Sequence, residues 1–67
     1  ASDVYKRQQH DELILQGTVE GQKVQVYTTD GINAGIYIST GGLTRITLRQ
    51  NVTYLVRVGM KTYKVAM

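Results

Sequence analysis

Tyr54-Leu55-Val56-Arg57-Val58-Gly59-Met60-Lys61-Thr62-Tyr63-Lys64-Val65-Ala66-Met67 is the stretch that decides the fold. Tyr54, Val56 and Val58 alternate with Leu55 and Arg57, in a run rich in β-branched and aromatic residues. A half-buried strand has that period of two. Gly59-Met60 is a two-residue connection, and Lys61–Met67 is a second alternating run. Together they predict a β-hairpin that closes the chain.

The same grammar extends toward the N-terminus. Gln50-Asn51 is a turn, since Asn51 tolerates a left-handed backbone. Thr44-Arg45-Ile46-Thr47-Leu48-Arg49 puts Ile46 and Leu48 inward and Arg45, Thr47 and Arg49 outward. Gly41-Gly42 is a turn. Ile36-Tyr37-Ile38 predicts a strand with the isoleucines on one side and Tyr37 outward. Asp30 and Gly31 form a structural turn, because glycine accepts positive φ. In Lys23-Val24-Gln25-Val26-Tyr27-Thr28, Val24 and Val26 share a face and Tyr27 points outward. Gly17 and Gly21 bracket another turn after the apolar run Leu13-Ile14-Leu15. Proline is absent, and no window has apolar residues at helical spacing. The prediction is an all-β fold: a small antiparallel β-sandwich of about six strands, Ig-like in architecture.

Size limits what such a fold can do. Sixty-seven residues make at most one domain. A single core this small rarely supplies more than about 3–5 kcal/mol unless something staples it. There is no cysteine for a disulfide or a cysteine-based zinc site, and His10 is the one histidine. No metal or cofactor is expected. Apolar runs are only a few residues long, too short for a helix to span a bilayer. The net charge of +3 permits an anionic partner without demanding one.

Residues 1–8 read differently from the rest. Ala1-Ser2-Asp3-Val4-Tyr5-Lys6-Arg7-Gln8 is a one-frame translation of GCGTCAGATGTGTATAAGAGACAG, which resembles the transposon-end adapter of short-read sequencing libraries. The octapeptide is expected to be foreign, with the domain itself at residues 9–67, a metagenomic fragment from the C-terminal end of a longer protein. Without Asp3, Lys6 and Arg7 there are six basic and four acidic residues, a net of +2.

From Leu13 to Met67 the chain resembles the C-terminal sorting domain of the type IX secretion system of Bacteroidota. Val24-Gln25-Val26-Tyr27-Thr28-Thr29-Asp30-Gly31 resembles the family's V-x-V-Y-x-x-x-G strand and turn. Thr44-Arg45-Ile46-Thr47-Leu48 resembles its t-x-I-x-L strand, and Tyr54-Leu55-Val56-Arg57-Val58-Gly59 its Y-x-V-x-V strand. Lys61–Met67 resembles the closing K-x-x-K-V-x-V strand. The chain departs from the pattern at Val52, where the family has glycine, and at Met67. The family's first strand is missing here or replaced by the octapeptide.

The resemblance implies a non-catalytic signal that routes a larger cargo across the outer membrane to the cell surface or the medium. Its partners are the outer-membrane secretion machinery and that machinery's signal peptidase, with an unknown cargo domain preceding it. The sorting-signal candidates are Tyr54, Val56, Gly59, Lys61, Tyr63, Lys64 and Val65. Lys61 and Lys64 are assigned as positive contacts, with Tyr63 and Val65 fixing the strand to the core. On sequence alone the lysines serve equally well to guard an edge strand against aggregation.

The rival reading is a β-domain that binds nucleic acid or glycan through an outward face carrying Tyr27, Tyr37, Arg45, Thr47 and Arg49. A net of +2 is weak for nucleic acid, and such residues are also ordinary cross-strand neighbours. Other constellations carry no chemistry. Asp11 and Glu12 are adjacent and point apart on a strand. Ser39 and Thr40 have no following histidine to act as base and read as turn residues. Gly41-Gly42 lacks the Gly-Lys-Ser/Thr of a phosphate loop, and Asn51-Val52-Thr53 is a glycosylation pattern frequent by chance.

Overall fold

A computed structural model of the chain describes residues 4–67. Seven strands follow one another: β1 (Tyr5–Gln9), β2 (Glu12–Gln16), β3 (Lys23–Thr28), β4 (Asn33–Ile38), β5 (Leu43–Thr47), β6 (Thr53–Val58) and β7 (Lys61–Ala66). They form two antiparallel sheets, one ordered β1-β2-β5 and the other β4-β3-β6-β7. No helix occurs among the described residues.

The core lies between the sheets. Leu13 and Leu15 from β2, Ile46 from β5 and the adjoining Leu48 face Val24 and Val26 from β3. Tyr54, Val56 and Val58 from β6 and Val65 from β7 complete it. Each fully buried aliphatic side chain contributes about 1.5–3 kcal/mol. In a chain without disulfides, that burial must offset most of the chain entropy lost on folding.

Two features differ from the sequence reading, and a third adds to it. There are seven strands, not six, because residues 5–8 of the octapeptide, with Gln9, pair with β2 in register from Tyr5↔Gln16 to Gln9↔Glu12. The sequence marks that segment as foreign. An exposed strand edge nevertheless pairs with backbone, which every segment carries.

The second difference is β4, whose sides are reversed. Tyr37 pairs with Val24, so it shares that residue's inward face and packs on the core. Ile36 and Ile38 stand outward, 54% and 58% exposed. Alternation gives two possible faces and does not choose between them. The choice is made by Gly35. A Cβ there would meet the Tyr37 ring at 2.8 Å, so the ring lies across the glycine and closes the rim of the core.

The third feature is Ile14, which is fully buried yet lies on the outer face of the three-stranded sheet. The register sets it between Arg7 and Arg45. Long basic side chains cover apolar surface with their alkyl stems in such an arrangement.

Candidate functional site: the closing hairpin and the cleft beside it

The predicted terminal hairpin is present. β6 and β7 pair from Thr53↔Ala66 to Val58↔Lys61, joined by Gly59 and Met60. Gly59 has φ +61°. Glycine at the first position of a two-residue loop suits the right-handed twist of the flanking strands. The Arg57 Nε donates to the Gly59 carbonyl at 3.3 Å, and Met60 is 95% exposed at the tip.

The candidate residues divide by role. Tyr54, Val56 and Val65 are core residues. Tyr54 is the second residue of β6, and its hydroxyl accepts a hydrogen bond from the Arg49 backbone N–H at 3.2 Å. That bond ties the strand start to the chain just after β5. Tyr63 is half-buried against the core. Its hydroxyl is buried and has no hydrogen-bond partner among the described residues. Lys61 and Lys64 are exposed. They lie three apart on a strand, so they point to opposite faces, and the structure does not bring them together on one. Asp30 and Gly31 form their predicted turn, with Gly31 at φ +88°.

Lys64 belongs to a row across the outer face of the four-stranded sheet. Tyr27 pairs with Leu55, and Leu55 pairs with Lys64. The next row on that face runs Ile36, Gln25, Arg57, Thr62. Leu55 and Arg57 alternate with the core residues Tyr54, Val56 and Val58, and the register makes them neighbours of Tyr27 and Lys64.

The face proposed for the rival reading does not assemble. Arg45 and Thr47 are on β5 in the three-stranded sheet, and Arg49 follows that strand. Tyr27 is on the outside of the opposite sheet and Tyr37 is turned inward. Arg45 also pairs with Glu12 at 3.2 Å. That exposed ion pair is worth at most about 1 kcal/mol.

At the side of the sandwich where the two terminal strands meet there is a cleft of about 230 Å³. It is bounded by Lys6, Arg7 and Gln8 on one edge and by Lys64, Val65 and Ala66 on the other, with Leu13 beneath. The Gln8 side-chain amide crosses it to donate to the Ala66 carbonyl at 2.8 Å. The Lys6 Nζ sits 5.3 Å from the centre of the Tyr63 ring, within range for a cation–π contact.

A hydroxyl cluster that includes Ser39, read from the sequence as a turn residue, lies elsewhere. Thr18, Ser39 and Thr44 are buried, and their oxygens form a triangle with sides of 2.9–3.0 Å. Thr18 and Ser39 each donate to the Gly41 carbonyl at 2.7 Å. The partners are hydroxyls and a carbonyl, so the arrangement clasps the β2–β3 and β4–β5 connections rather than activating a nucleophile. Ser39 was legible as polar, but its burial depended on contacts with Thr18, 21 residues earlier.

No known protein family, curated protein or solved structure matches the chain.

Proposed function

We propose that this domain is a non-catalytic sorting module, of the type IX kind, that carries a larger cargo across an outer membrane. The observation that supports it best is the build of β7. Val65 and Tyr63 anchor this edge strand from inside, while Lys61 and Lys64 stay exposed to a partner. A rigid strand with exposed cations offers a receptor a fixed shape and charge without any chemistry of its own. On this reading the outer-membrane machinery docks on the closing hairpin, and a separate peptidase removes the domain.

We further infer an Ig-like topology. β1, β2 and β5 take the places of strands A, B and E, and β3, β6 and β7 those of C, F and G. β4 joins the latter sheet as strand C′ does. Tyr54 supports the assignment: it is the second residue of the F-equivalent strand, and its hydroxyl bonds to backbone just upstream, as in a tyrosine corner.

The test is a fusion of the 67-residue chain to a periplasmic reporter in a host with a type IX system. The proposal expects reporter on the cell surface or in the medium, and loss of that export when the secretion pore is deleted. A folded fusion that stays in the periplasm contradicts it. Binding of single-stranded oligonucleotides at low salt, lost as salt rises, would favour the nucleic-acid reading instead.

A further inference from the structure

The two ends of the chain carry hairpins of the same loop length with different chemistry at the same position. In the closing hairpin, the left-handed first loop residue is Gly59, φ +61°. In the opening hairpin, β1 and β2 are also joined by two residues, His10 and Asp11, and the left-handed residue is His10, φ +55°. An L-residue with a β-carbon is strained there. Short strained hinge loops favour opening and exchange of the strand they hold.

What the loop holds is weakly attached. All five residues of β1 are exposed. The strand is kept by its backbone ladder to β2, by the Gln8 bond to Ala66 and by Lys6 over Tyr63. Each of these contacts would be equally available to the β1 of another molecule.

The hinge needs to move at one residue only. The β2–β5 ladder pairs Leu13 with Ile46 and Glu12 with Thr47, so its next step is Asp11 with Leu48. The Leu48 N–H already donates to the Asp11 carbonyl at 2.7 Å. Asp11 thus lies on the line of β2, and extending His10 would join residues 5–16 into one strand.

We propose that this chain exchanges β1 with a second copy of itself. The register argues for a second copy over any other occupant. In the hairpin, Tyr5 pairs with Gln16 and Gln9 with Glu12. Two extended strands related by a twofold axis reproduce every one of these pairs between molecules. The axis then sets His10 of each copy opposite Asp11 of the other. An imidazole opposite a carboxylate is a favourable cross-strand pair, and both left-handed backbones are relieved. The exchanged strand includes residues 5–8 of the octapeptide, so the proposal concerns the 67-residue chain that carries it. It is independent of the sorting reading.

The chain has no cysteine of its own, so introduced thiols report unambiguously. One chain carrying Gln9→Cys and another carrying Glu12→Cys are mixed unfolded, refolded together at high concentration and oxidised. Circular dichroism verifies that each variant folds. Exchange predicts a covalent heterodimer well above the yield of either chain alone. It also predicts a concentration-dependent dimer of the unmodified chain in sedimentation. His10→Gly in both partners removes the strain at two hinges and lowers the dimer fraction about tenfold or more. Heterodimer yields equal to the single-chain controls, or an unmodified chain that sediments as a monomer at all concentrations, would overturn the proposal. So would a dimer unaffected by His10→Gly.

Discussion

The opening and closing hairpins lie side by side, yet they are built on different principles. β7 sends Val65 and Tyr63 into the core and turns on glycine. β1 buries none of its five side chains and turns on histidine. The closing hairpin is held by side-chain burial and its identity matters. The opening one is held by backbone pairing, which tolerates many sequences. A polar segment that the sequence reads as foreign can therefore complete a sheet, while the hairpin assigned to recognition is fixed in place.

The contrast makes predictions in order of size. Val65→Ala should destabilise the domain by about 2 kcal/mol, through lost burial and the cavity left behind, whereas Gln8→Ala should change stability by no more than about 0.5 kcal/mol. Urea denaturation of the two variants measures both, and equal losses would erase the distinction. Gly59→Ala should cost about 1–2 kcal/mol, because alanine is strained at φ +61°. His10→Gly should gain about 0.5 kcal/mol, the relieved strain less the extra entropy glycine loses on folding.

The two tyrosines of the closing hairpin sharpen the comparison further. Tyr54→Phe removes the acceptor of the Arg49 N–H and should cost about 1 kcal/mol. Tyr63→Phe removes a buried hydroxyl that has no partner among the described residues, so it should be neutral or stabilising by up to about 1 kcal/mol. Thermal unfolding of the pair decides it, since opposite signs are predicted for the same chemical change.

The sequence was most informative where alternation and turn chemistry agreed. The six strands from β2 to β7, the left-handed Asn51, the Asp30-Gly31 turn, the shared face of Val24 and Val26 and the inward Ile46 and Leu48 could all be read from residue types. It was silent where a long-range partner decides the outcome. Tyr37 faces inward because of Gly35 and Val24, and Ser39 is buried because Thr18 and Thr44 meet it. Arg45 and Tyr27 are separated by a sheet assignment that no local pattern contains. For the candidate site, the exposure of Lys61 and Lys64 was legible, but the row joining Lys64 to Leu55 and Tyr27 was not, since register belongs to pairs of strands.

Export of a periplasmic reporter fused to the 67-residue chain should respond differently when the charges of the two hairpins are removed in turn. The account predicts that the Lys61→Ala, Lys64→Ala double variant stays folded and leaves the reporter in the periplasm, while Lys6→Ala, Arg7→Ala is exported like the parent. Undiminished export of the first variant, or loss of export confined to the second, would contradict it.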